Sequence, residues 1–125
     1  MAVPRITKED LKQRIDGAAG EAPVLADVRL KYPYEHSTVT LPGAIRLNPD
    51  SFDPSSLPRN RDIVLYDSDP AELVAERLGD GLIRRGYRVF ALQGGIGEWV
   101  TAKLPTDTKP APQPAATAAA AATKG

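Results

Sequence analysis

The 125-residue chain contains no cysteine. That absence excludes disulfides, thiolate metal sites and thiol nucleophiles together. Histidine occurs once, at His36, within the polar stretch Tyr34-Glu35-His36-Ser37. This context suits a surface side chain better than a base or a metal ligand. Net charge is also missing: 16 basic and 16 acidic residues give +0. No broad footprint for nucleic acid or an anionic membrane follows. Nothing approaches the roughly 20 apolar residues of a membrane span. The alanine run from Ala115 to Ala122 is short and interrupted by Thr117. Met1 to Leu11 has no apolar run behind a basic start, so no secretory signal is expected. These absences predict a cytoplasmic monomer with no cofactor, no metal, no nucleic-acid partner and no membrane partner.

What remains is ordinary globular material, with 42% hydrophobic and 26% charged residues, enough for one domain. The composition shifts near Leu104, where Pro105, Pro110, Pro112 and Pro114 lead into the alanine-rich end. Residues 104–125 offer little to bury, so ordering them would cost entropy with little return. The expected organisation is a domain over residues 3–103 and a disordered tail over 104–125.

Within the domain, Thr7 and Asp10 mark a helix start, Leu11 and Ile15 share a face, and Gly17 ends the helix. Pro23 to Val28 is an apolar run of buried-strand type, and Tyr32 to Ser37 is a short helix. Ala44 to Leu47 is a short strand after a turn at Pro42-Gly43. Residues 48–60 read as loop with one helical turn. Ile63-Val64-Leu65-Tyr66 is continuously apolar, as befits a central parallel strand. A helix is expected from about Pro70, with Ala71, Ala75, Leu78 and Leu82 on its buried stripe. Gly79 and Gly81 weaken it, for close packing or as a break. Arg88 to Leu92 is a further strand, and Gly94-Gly95 turns into a last helix carrying Trp99. Strands alternating with helices specify an α/β fold with a mostly parallel sheet.

Open parallel sheets place their sites beyond the carboxyl ends of the strands. The segment after Tyr66 is Asp67-Ser68-Asp69-Pro70-Ala71-Glu72. Amide donors there, with a helix N-terminus, favour an anion, and they are expected to favour the ionised form of Asp67 itself. Locally, Asp69 reads as an N-cap, Pro70 as the first helical residue and Glu72 as the partner in a capping box. Trp99 and Phe90 read as core. Arg84, Arg85 and Arg88 read as a solvated helix end.

Four segments occur in a characteristic order: Asp27-Val28-Arg29, Leu41-Pro42-Gly43-Ala44, the strand into Asp67, and Gly94-Gly95 followed by Trp99. In this order the chain resembles the rhodanese-like family. The resemblance implies a three-layer α/β fold over nearly all of residues 3–103. It makes Asp27, Arg29, Pro42, Gly43, Gly94, Gly95 and Trp99 framework residues. It also places the family's catalytic cysteine, which carries sulfur as a persulfide, at the position of Asp67. A carboxylate cannot form a persulfide. The family loop's usual glycine and arginine are absent, the Pro70 and Glu72 pattern resembles a variant of that loop, and Thr40 stands where the family has histidine.

The expectation is therefore a rhodanese-homology module without catalytic turnover, binding a protein partner or a small anion near Asp67. Two alternatives remain. One is a sulfurtransferase whose cysteine has been replaced at position 67. The other is an Asp67-based phosphoryl-transfer or Mg²⁺-dependent enzyme, suggested by Asp67 and Asp69 after an apolar strand.

Overall fold

A computed structural model describes residues 3–17, 22–50, 53–69 and 71–109. Pro70, and the tail beyond residue 109, lie outside the described residues. The core is a five-stranded parallel sheet in the order β1-β6-β5-β2-β4. Its strands are β1 (Arg5–Ile6), β2 (Val24–Asp27), β4 (Ile45–Arg46), β5 (Asp62–Tyr66) and β6 (Arg88–Leu92). The central pairing runs from Asp62 opposite Arg88 to Leu65 opposite Ala91. On its other side β5 pairs with β2, Leu25 facing Val64.

Alternation along these strands builds two cores. Ile63 and Leu65 point to one face, where Ala75, Leu82 and Val89 join them. Val64 and Tyr66 point to the other, with Leu11, Leu25, Ile96 and Trp99. Both faces are covered, which is why β5 reads as an unbroken apolar run. Helix α3 (Leu73–Arg84) lies on the first face; α1 (Lys8–Gly17) and α4 (Gly95–Thr101) contribute to the second. The predicted three-layer α/β architecture is the observed one. Helix α2 (Lys31–His36) follows β2, and a 3₁₀ turn (Pro54–Ser56) supplies the helical turn expected between 48 and 60.

The α1 boundary follows its sequence signals, with Thr7 Oγ1 accepting from the Asp10 amide at 3.1 Å. Gly79 has a packing reason, because a Cβ there would lie 3.0 Å from Val3 Cγ2 and 3.2 Å from Val89 Cγ1. Neither glycine breaks α3.

Two readings need correction. Helix α3 begins at Leu73 rather than near Pro70. Asp69 closes a local turn instead, its Oδ1 accepting from the Ala71 amide at 2.9 Å and its carbonyl from the Glu72 amide at 2.9 Å. Glu72 then takes φ 55°, a left-handed conformation that a helix cannot contain. Ala71 therefore lies outside the helical stripe and is exposed.

The second correction concerns residues 104–109, which belong to the packed domain. Strand β7 (Asp107–Thr108) pairs antiparallel with β3 (Val39–Thr40), and Leu104 packs on the core containing Trp99. Trp99 Nε1 donates to the Pro105 carbonyl at 2.7 Å. Proline-rich composition hid this, because the segment is held by its backbone and one leucine. A chain ending at Lys103 is expected to lose about 1–3 kcal/mol, chiefly from the orphaned indole donor, measurable as a fall in the urea midpoint.

Candidate functional site

The carboxyl ends of β2 and β5 carry a buried polar network. Asp27 and Arg29 are 1% and 2% exposed, so their charges are almost fully desolvated. Arg29 Nη2 lies 2.6 Å from Asp27 Oδ2, and Nε sits 3.0 and 3.1 Å from the two carboxylate oxygens. The remaining Nη2 capacity goes to the Val39 carbonyl at 3.0 Å. The Tyr66 hydroxyl donates to Asp27 Oδ2 at 3.1 Å and accepts from the Leu41 amide at 3.2 Å. Burial, then the Asp27 charge, pushes the Tyr66 phenol well above its usual range, so it stays protonated as a donor. The network ties β2, β5 and the Leu41-Pro42-Gly43 turn together. Gly43 takes φ +68°, and its amide donates to Asp107 Oδ2 at 2.8 Å.

Asp67 follows Tyr66 directly, and its side chain turns inward to 1% exposure. Oδ1 accepts from the Asp69 amide at 3.1 Å, and Oδ2 accepts from the Ala75 amide, in the first turn of α3, at 2.9 Å. The carboxylate thus occupies the donors that a strand–loop–helix junction offers an anion. The expected sign of its titration is reversed, however. Desolvation outweighs the amides of Ala75, Asp69 and Val74, the Asp69 charge adds to it, and the Asp67 carboxyl rises above the ordinary aspartate range.

A group whose pKa is raised by folding holds its proton more tightly in the native state, so the stability it contributes falls as pH rises through the unfolded and then the folded value. Wild type is therefore expected to gain stability relative to Asp67→Asn as pH drops from neutrality to below the ordinary aspartate value of about 3.9. Urea midpoints of both proteins across that window test this. A gap that moves the other way would mean that the amide donors dominate.

Glu72 does work that its place in a capping pattern did not reveal. Its Oε1 accepts from Arg5 Nε at 2.5 Å and its Oε2 from the Gly94 amide at 2.9 Å. One carboxylate thereby links β1, the loop and the β6–α4 turn. Arg5 was invisible as a partner because β1 is only two residues long and carries no period to read. Ser68 and Ala71 are exposed on the loop. Gly94 and Gly95 both take positive φ, and the amide of Ile96 donates to the Asp67 carbonyl at 2.9 Å. A cleft of about 400 Å³ opens beside this junction, walled by Lys8, Glu9, Glu72, Gln93 and Glu98. Among the described residues no group of three His, Asp or Glu side chains is placed to hold a metal ion. His36 is exposed at the end of α2 and stacks on Tyr32 with ring centroids 6.0 Å apart.

The arrangement is a parallel sheet with a loop after its central strand, wrapped against a Gly-Gly turn and braced by a buried Asp–Arg pair. The family model for the rhodanese-like domain matches residues 7–102. The chain belongs to the rhodanese-like domain family. Its fold matches the BH2092 protein of Bacillus halodurans with a TM-score of 0.73 at 22% identity, over 84% of this chain and 77% of that one. A full-length protein of Lactobacillus plantarum matches with a TM-score of 0.73 at 22% identity, over 84% and 88% of the two chains. The rhodanese-like domain of the Alr3790 protein from Anabaena sp. matches with a TM-score of 0.66 at 25% identity, over 87% and 86%. No curated protein matches the chain. This rhodanese-like domain has no cysteine in its sequence. No described helix is long and apolar enough to cross a membrane.

Proposed function

We propose that this rhodanese-like domain is a non-catalytic module that binds another protein. The observation that carries the reading is the state of Asp67. The residue directly after the central strand is a carboxylate, and both of its oxygens are spent on the loop's own amides. With those donors filled from within, the junction is closed to a small external anion. This favours a protein surface over a small anion as the ligand. The same geometry gives no support to phosphoryl transfer, since neither oxygen of Asp67 is free to attack outward and its side chain is buried.

The test is thiosulfate-to-cyanide sulfur transfer by the protein and by Asp67→Cys. Both are expected to be silent. The chain as it stands has no sulfur nucleophile. In the variant, the dianionic substrate meets Asp69, and the described loop carries no cation to offset it. Turnover by Asp67→Cys alone would favour a sulfurtransferase pocket that lacks only its nucleophile. Turnover by the unaltered protein would overturn the proposal.

A further inference from the structure

The opposite end of the sheet carries a second, differently built surface. Arginine occupies positions 59, 61, 77, 84, 85 and 88, and no lysine occurs between Lys31 and Lys103. All six arginines are exposed. Contacts hold several of them together. Arg88 Nη2 donates to the Asn60 carbonyl at 3.1 Å, and Arg59 donates to the Arg85 carbonyl while its guanidinium lies 4.3 Å from the centre of the Tyr87 ring.

The carboxylates at this end are already neutralised. Asp62 lies between Arg14 and Arg88, each at 2.9 Å, and Asp80 pairs with Arg84 at 2.8 Å. Arg77 and Arg85 have no carboxylate partner among the described residues. Arg77 lies within α3 and Arg85 caps its carboxyl end eight positions on, with Gly81 between them, and with Leu78 they wall a hollow of about 140 Å³.

Gly81 is the telling residue. A glycine inside a helix costs about 1 kcal/mol relative to alanine. Unlike Gly79, it has no packing reason, because nothing lies within 4 Å of where its Cβ would be. A side chain there would project into the hollow rather than into the fold.

We infer that this hollow is a docking site for an acidic protein segment, one with carboxylates about two helical turns apart, roughly 12 Å, and an apolar side chain between them. Guanidinium forks at Arg77 and Arg85 grip the carboxylates, and the Leu78–Gly81 floor takes the apolar group. A nucleic acid fits less well. The domain carries no net positive charge, and the patch is interrupted by Asp62 and Asp80. The inference rests on the reading of the domain as a binding module, and it names that module's partner chemistry.

The test is a backbone-amide NMR titration of the full chain with a 15-residue helical peptide carrying Glu, Leu and Glu at one-turn intervals. The expected result is saturable shifts confined to α3 and Arg85–Gly86. The same peptide with Gln for Glu is expected to bind at least about tenfold more weakly. Gly81→Leu should plug the hollow and weaken the peptide by a similar factor while leaving the melting temperature unchanged or higher, which separates blocked binding from misfolding. Absence of saturable shifts, shifts centred on Lys31 and Arg46, indifference to Gly81→Leu, or tighter binding of a 15-mer of thymidylate to the same residues would each overturn the site. Sulfur-transfer activity would sink the module reading while leaving this titration readable. An unresponsive titration would sink the docking site alone.

Discussion

Replacing Arg29 by alanine is expected to destabilise the domain by about 3–5 kcal/mol. The size follows from what is left behind. Asp27 is 1% exposed and would keep its charge with only the Tyr66 hydroxyl, the Arg29 amide and the more distant Arg46 near it. The Val39 carbonyl would lose its Nη2 donor as well. The penalty is mainly that of an uncompensated buried carboxylate, rather than the net worth of the ion pair. A second substitution distinguishes the two. Asp27→Asn in the Arg29→Ala background is expected to recover part of the loss, because it removes the stranded charge. Urea unfolding of the three proteins measures both quantities. A single-variant loss below about 1 kcal/mol, the range of exposed pairs, would mean that water reaches Asp27.

Gly95→Ala is expected to be comparably damaging, about 3 kcal/mol or more. Strain at a positive φ adds to backbone overlap there. Gly95 takes φ +68°, and an added Cβ would sit 2.5 Å from the Asp67 carbonyl oxygen. That oxygen is backbone, so it cannot swing aside as a flexible side chain could. The same carbonyl accepts the Ile96 amide at 2.9 Å. The variant must therefore push the Asp67 loop away from the β6–α4 turn. Gly94→Ala is expected to cost less than Gly95→Ala, since the hardest overlap of its Cβ, 2.2 Å from Glu98 Cγ, can be relieved by side-chain rotation, leaving a milder 2.9 Å approach to Glu98 Cβ for the backbone to absorb. Urea midpoints rank the two variants, and faster exchange of the Ile96 amide would localise the damage. Equal costs at both positions would contradict the assigned contact.

The layers of the fold were legible because the strands advertise themselves. Ile63 to Tyr66 is apolar throughout, and its alternate residues do fill opposite cores. The framework pair Asp27 and Arg29 was legible through the family resemblance, and the closeness of their contact fits a structural role. Besides the packing of residues 104–109, three features were hidden for physical reasons. Strand β1 is too short to show a period, so Arg5 and its bond to Glu72 could not be anticipated. The start of α3 is concealed because Asp69-Pro70-Ala71-Glu72 satisfies the local rules for a cap, while Glu72 is recruited by Arg5 and Gly94 from distant segments. Tertiary partners outbid the local pattern. The titration of Asp67 is not legible in the sequence because local donors can be counted from a loop, whereas the depth of burial is set by the packed domain around it.

The strand order also bears on how the chain finds its fold. Neighbouring β5 and β6 are joined through α3 alone, and β2 meets β4 across the short segment holding α2 and β3. These closures restrain little chain and are entropically cheap. The pairing of β1 with β6 instead spans almost the whole domain, Arg5 lying opposite Ala91. Its reward comes only after most other contacts exist, which makes the amino-terminal strand a late arrival in folding and an early departure in local opening. Because Arg5 on that strand holds Glu72, fraying at the amino terminus is transmitted straight to the loop beside Asp67.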